Sequence, residues 1–174
     1  GFGCRILGRR HRGNHSLVAS VSITLGNIAQ AALWVTMREG SKYVENPYPS
    51  RFGISLHYHP ELTEADVRAM TQQRAAQIMT AQYWPKGAEA LPSCLAVPLL
   101  SFAVLDGPVS AVQRLQEALA VHADGEIGAQ TVHAAQLPTA NDLLEVYFGT
   151  CMARLHGSPR WLTDGVGWER RQMR

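Results

Sequence analysis

The stretch MREGSKYVENPYPSRFGIS, residues 37–55, decides how this chain folds. It joins the end of an apolar run to a glutamate, a glycine, a loop punctuated by Pro47 and Pro49, and a short strand-like FGIS. Just upstream, Asn27 and Gln30 have the spacing of an N-cap and its capping-box partner, so a helix is expected from there to Glu39. Gly40 is its expected stop. The apolar face is Ile28, Ala32 and Val35, spaced four and three apart. At roughly 100° per residue, Glu39 falls about 20° around the axis from Ile28 and from Ala32. The glutamate therefore lies on the apolar stripe at the end of the helix, where the negative pole of the helix dipole disfavours a carboxylate. Either it bends out to water, or it is placed there for a purpose.

RFGIS is a short strand or hairpin candidate. HPELTEADVRAM carries Thr63 and Asp66 as a capping-box pair and predicts a short helix. TQQRAAQIMTAQYW predicts a longer one with Ala75, Ile78, Met79 and Gln82 on one face. A nearly all-apolar helix is expected from Leu91 or Pro92 to Leu105, central in the fold and kinked at Pro98. Pro108 opens another, with Val109, Val112, Leu115 and Leu119 as its buried stripe. The Gly-rich turn in HADGEIGAQT leads to a helix through His133. A last long helix, residues 141–156, should turn Leu144, Tyr147, Cys151 and Leu155 inward, and Ser158-Pro159 should cap a final segment with Trp161 and Trp168. The expected class is mainly α with one small β-hairpin or loop excursion after the Glu39 helix. Three parts are expected: a basic arm over 1–23, a first unit over 24–90, and a helical part over 91–174 packed on it.

At 174 residues with 46% hydrophobic content, the chain has material for a true core. A net charge of +2 does not argue for nucleic acid, although 14 of the 16 basic residues are arginine and four crowd the first dozen positions. Such an arm reads as solvated or anion-seeking, with a virion or further copies of the chain as the expected partner. Cys4, Cys94 and Cys151 are odd in number and widely spaced, which speaks against a disulfide framework or structural zinc. Cys94 and Cys151 read as small buried hydrophobes. His57 and His59 near Glu61 read as a loop pair rather than metal ligands, and no cofactor or metal is expected. SLVASVSITL after RRHR has features of a secretory leader, with AQA at 29–31 as a nominal cleavage site, but cleavage there would cut the Glu39 helix. An extended arm feeding that helix is the preferred reading. Gly26, Asn27 and Gln30 interrupt the apolar run, so no stable membrane span is expected.

A carboxyl at an apolar helix end, facing a cleft walled by a hairpin, suits a general acid, because desolvation and the helix C-terminus both favour its protonated form. Glycoside hydrolysis needs such an acid beside the scissile oxygen and a carboxylate or positioned water on the other face. Candidates for the second group are Glu45 and, more weakly, Asp106. Ser50 and Ser55 are candidates to position a water or a sugar hydroxyl, and Tyr43, Phe52, Tyr83 and Trp84 to offer stacking faces. The motifs of serine, zinc and nucleotide chemistry are missing from the sequence.

These residues also carry a resemblance. REGSKYVENP…SRFGIS resembles the EGGYV(N)DP…TN(Y/F)GIT signature of glycoside hydrolase family 108, the lysozyme-like N-acetylmuramidases of phage endolysins and certain bacterial secretion systems. Further blocks follow in order over residues 27–171. TQQRAAQIMTAQYW is similar to the family's LTPEEA…YW helix, and ALPSCLAVPLLSFAVLDGP to LP…LA…FD.AVN.GP. LQEALAVHADGEIGAQT is similar to the family's peptidoglycan-binding LQ.ALGV.ADG.IGP.T, and DGVGWERR to its closing GW..R. The resemblance implies a lysozyme-like fold, Glu39 as the catalytic acid, and Asp124, Gly125, Gly128 and Thr131 as a peptidoglycan-binding turn. Some positions depart from the pattern. Ser41-Lys42 replaces one glycine and brings a cation beside the acid, Ser50-Arg51 replaces Thr-Asn, and Asp106 stands for an asparagine.

The expected activity is cleavage of the β-1,4 bond between N-acetylmuramic acid and N-acetylglucosamine. The protein would be made in the bacterial cytoplasm, act in the periplasm or cell wall, and have a phage or secretion-system origin. Two other readings stand beside it: a catalytically degenerate peptidoglycan-binding or structural component of a virion or envelope machine, and a DNA-binding helical domain resting on the arginine arm alone.

Overall fold

The computed structural model describes residues 22–157. Residues 22–24 run extended, with Ser22 bridged to Pro92 and the Ile23 N–H bonded to the Leu91 carbonyl at 3.1 Å. Helix α1 follows, Leu25–Glu39. Its N-cap is Thr24, not Asn27. The Thr24 hydroxyl accepts from the Asn27 N–H, and the Asn27 side chain reaches back to the Thr24 N–H at 2.9 Å. Asn27 is thus the third residue of the helix and completes the box from inside. The nominal cleavage site at 29–31 lies within this helix.

A long loop leads to a minimal hairpin, β1 (Ser50–Arg51) and β2 (Ile54–Ser55), antiparallel with Ser50 opposite Ser55 and Arg51 opposite Ile54. Val44 bridges the outer side of Ser50 through a reciprocal pair of bonds, 2.9 and 2.8 Å. Then come α2 (Glu64–Arg68), capped by Thr63 and Asp66 as the spacing predicts, and α3 (Gln72–Tyr83). The buried face of α3 is Ala75, Ala76, Ile78 and Met79. Gln82 is exposed instead, its amide on Glu61 Oε1 at 3.3 Å.

Short 3₁₀ turns at Ala88–Ala90 and Ser93–Leu95 lead into α4, Ala96–Asp106. Pro98 falls in the first turn of α4, where backbone N–H groups have no intrahelical acceptor. Its missing donor therefore removes no helix bond, which is why one helix runs on through it to Asp106. Seven of the first eight residues of α4 are buried. Leu99 and Leu100 are fully so, each contributing about 1.5–3 kcal/mol relative to exposure. This helix packs on α1, α3 and α5 (Pro108–Ala118), so a single core runs from Ile23 to Leu155.

The buried stripe of α5 is Ala111, Val112, Leu115 and Gln116, with Leu119 half-buried just beyond the helix; Val109 is 58% exposed. Helices α6 (Ala129–Ala135) and α7 (Ala140–His156) complete the described chain. Leu143, Tyr147, Cys151 and Leu155 face inward from α7, with Leu144 only half-buried. Phe102 of α4 sets its edge against Tyr147 and Phe148, at 5.6 and 5.5 Å between centroids. Burial pushes the Cys151 thiol up to about 12, so it stays protonated and inert. Cys94 is half-buried rather than buried. Cys4, the arginine arm, Trp161 and Trp168 lie outside the described residues.

Gln116 is 1% exposed and anchors the turn between α5 and α6. Its amide nitrogen donates to Asp124 Oδ1 (2.7 Å), the Glu126 carbonyl (2.9 Å) and Thr131 Oγ1 (3.2 Å), and its oxygen accepts from the Gly125 N–H at 2.8 Å. Replacing both ends with an apolar isostere strands several groups at once. Gln116→Leu is expected to cost at least about 1–3 kcal/mol in urea unfolding, and a loss under about 0.5 kcal/mol would show that Gln116 does not lock the turn.

Candidate active site

Helix α1 delivers Glu39, half-buried, to its own C-terminal end. The chain leaves through Gly40 at φ 96°, ψ 146°, a backbone shape that a side chain would resist, while the Gly40 N–H still closes the helix on the Thr36 carbonyl. The next contact brings the hairpin back. The Phe52 N–H donates to the Gly40 carbonyl at 3.0 Å, so the tip of the hairpin is bonded to the residue after the glutamate.

That tip is a two-residue turn with both central residues at positive φ, Phe52 at 51° and Gly53 at 78°, the type I′ pattern that matches strand twist. An aromatic residue at positive φ is strained. The conformation is held by the Phe52–Gly40 bond, by burial of the Phe52 ring, and by the Arg51 guanidinium 5.3 Å over that ring. Gly53 lies directly on the glutamate: a Cβ there would come within 2.8 Å of Glu39 Cγ and of Met79 Cε.

The resulting cleft, about 280 Å3, is lined by Glu39, Gly40, Lys42 and Val44 on one side and by the hairpin residues Ser50–Gly53 and Ser55 on another. Tyr58, Tyr83, Val104 and Leu105 complete it. Glu39 is the one carboxylate among the described residues of this lining. Ser50 and Ser55 form a directly opposed pair across the hairpin, which places both hydroxyls on one face of it.

Arg51, standing where the family pattern has asparagine, works as a clamp. Its Nε donates to the Ser41 carbonyl at 2.9 Å and its Nη1 to the Arg68 carbonyl at 2.8 Å, tying the loop after Glu39 to the end of α2. Behind the wall, the Tyr83 hydroxyl meets His59 Nε2 at 3.2 Å, and His59 Nδ1 meets Glu61 Oε1 at 3.2 Å. His59 is fully buried, so both ring nitrogens are used within the protein. The HxH pair splits, with His59 inward and His57 outward, stacked on Tyr48.

Other sequence candidates sit elsewhere. Tyr43 turns to α2, its hydroxyl donating to Glu64 Oε1 at 2.9 Å and its ring 4.2 Å beneath the Arg68 guanidinium. Partial burial, then the Glu64 bond, raises its ionisation above the usual tyrosine value. The Glu64 carboxyl is held low, first by Arg68 and then by Tyr43. Glu45 is exposed and electrostatically coupled to this Tyr43–Arg68 group; it does not line the cleft. Asp106 ends α4 away from the cleft, accepting from Ser110 Oγ with Arg154 Nε at 3.9 Å. Trp84 donates to Glu89 Oε1 at 3.0 Å and lines a different, larger groove of about 520 Å3 between α1 and α3. That groove is walled largely by aliphatic side chains such as Leu25, Ile28 and Ala32 and lacks the convergent polar groups of the Glu39 cleft.

The four turn residues in the second half lie in the loop before α6 and in its first turn. Asp124 accepts from Gln116 and from the Glu126 N–H, Gly125 donates to Gln116, and Thr131 is buried. Gly128 starts α6 in open space. Gly53, Lys42, Arg51 and Tyr58 are among the cleft residues missing from the sequence-based site. An isolated glycine in a strand-like run is a signal of close backbone approach that could have identified Gly53.

Comparison with known proteins gives the same frame. A family model described as "Glycosyl hydrolase 108" matches residues 32–107, the segment that holds the cleft. No match is found among curated proteins. Among solved structures, SagA from Brucella abortus is 30% identical, with a TM-score of 0.74 over 85% of this chain and 90% of that one.

Proposed function

The chain belongs to glycosyl hydrolase family 108, a family of lysozyme-like peptidoglycan hydrolases, and from that premise we propose that it is an N-acetylmuramidase with Glu39 as general acid. The bond cut is the β-1,4 link from N-acetylmuramic acid to N-acetylglucosamine. The observation that carries this reading is the seat of Glu39, at the end of an apolar helix, under the hairpin tip, as the carboxylate of the described cleft lining. Its carboxyl gives a proton to the glycosidic oxygen as the C1–O bond breaks. A water held by the Ser50 and Ser55 hydroxyls adds to C1 and loses its proton to solvent, and Glu39 is reprotonated from solvent. A hydrolase of this substrate would act in the periplasm or cell wall, where the substrate lies.

The test is product identity. Purified sacculi are digested, the new reducing ends are reduced with borohydride, and the sugar alcohols are identified after hydrolysis. N-acetylmuramidase activity yields muramitol. Glucosaminitol would overturn the bond assignment. Binding without any new reducing end would leave a peptidoglycan-binding part in place of an enzyme.

A further inference from the structure

The cleft falls below the roughly 300–1,000 Å3 of pockets that enclose a small ligand. A glycan strand is a polymer, so most of it must lie on surface outside the cleft. At one exit from the cleft three aromatic rings are packed in a row. Tyr58 lines the cleft and is 63% exposed. The His57 ring abuts it edge-on, 4.6 Å between centroids at 78°. Tyr48, 49% exposed, stacks on His57 at 4.5 Å and 26°.

We propose that Tyr58, His57 and Tyr48 form a stacking platform that holds the N-acetylated glycan strand where it leaves the cleft. This rests on the glycoside hydrolase reading of the same site. The chemistry fits a saccharide. The axial C–H faces of a pyranose ring are apolar and lie flat on an aromatic ring, while tyrosine hydroxyls reach the sugar's hydroxyl and acetamido groups. None of the three rings belongs to the buried core, so the core does not account for their presence on the surface.

The platform is also preformed. Tyr48 comes from the loop before β1, and His57 and Tyr58 from the turn after β2. The Leu56 N–H bonds to the Pro49 carbonyl at 3.0 Å and fastens those two segments together. The His57 N–H bonds to Ser55 Oγ at 3.3 Å and the Tyr58 N–H to the Ser55 carbonyl at 3.0 Å. Rings held this way lose little freedom on binding, so their contact area converts to affinity.

The experiment compares two ligands in the Glu39→Gln chain, so that no cleavage intervenes. One is glycan strands freed of stem peptides by an amidase; the other is the disaccharide, which is short enough to be held by the cleft alone. Tyr48→Ala is expected to weaken strand binding about 3- to 10-fold and to leave disaccharide binding as it was, with Tyr48→Phe restoring the strand affinity. Equal weakening for both ligands would mean that Tyr48 only braces the loops and would overturn the platform. So would no effect on either, or no strand binding by the parent chain. The hydrolase reading is scored separately, by reducing-end release from the wild type. A strand-specific Tyr48 effect without release keeps the platform and removes the enzyme; release without that effect does the reverse.

Discussion

Glu39→Gln is expected to lower reducing-end release from sacculi by about 10²–10⁴-fold, the usual contribution of a positioned general acid. The amide has nearly the shape of the carboxyl but holds no transferable acidic proton. It also removes a potential negative charge from the negative end of α1, where such a charge is disfavoured. The thermal midpoint should therefore stay close to wild type, separating lost chemistry from lost fold. Glu45→Gln and Asp106→Asn are the matching controls. Glu45 lies outside the cleft by Tyr43 and Arg68, and Asp106 faces Ser110 and Arg154, so both should keep release within a few-fold of wild type. Wild-type release by Glu39→Gln would remove Glu39 from the mechanism. A large loss in either control would mean that the second group reaches the substrate by a rearrangement of its loop.

Glu39 was legible because it depends on one short-range rule. Helical periodicity puts it on the apolar stripe, and a following glycine ends the helix there. The hairpin and most helix ends follow from equally local signals. Errors begin where two local signals compete or where a choice depends on something distant. Nothing local distinguishes Thr24 from Asn27 as the cap until the Asn27 side chain is seen to turn back. Val109 fits the apolar pattern of α5 yet faces water, while Gln116 spoils the pattern yet is buried, because the turn at 124–126 supplies its partners. Tyr43 and Trp84 could not be placed from their neighbours, since the direction of a loop side chain is set by tertiary partners such as Glu64 and Arg68, over twenty residues from Tyr43. The turn at 124–131 depends on distance in the same way, since Gln116 of α5 supplies partners to Asp124, Gly125 and Thr131.

Gly53→Ala is expected to lower kcat about 10²-fold, the scale of a misplacement near 1 Å in a catalytic group, while also costing roughly 1–3 kcal/mol of stability. Two separate strains meet at this position. The backbone sits at φ 78°, where a Cβ is unfavourable. The new Cβ would also stand 2.8 Å from both Glu39 Cγ and Met79 Cε. Met79 is fully buried and has little room to retreat, so the displacement falls on the glutamate or on the hairpin tip bonded to Gly40. Either movement separates Glu39 from the serine pair on the opposite wall. Gly107→Ala isolates the first strain: it has a similar φ of 88°, with nothing within 4 Å of the added carbon. It should cost stability and leave kcat near wild type. Kinetics and urea unfolding of both variants therefore separate a general backbone penalty from displacement of the acid. Equal kcat losses would show that the effect is general instability, and a wild-type kcat for Gly53→Ala would show that the hairpin tip does not set the position of Glu39.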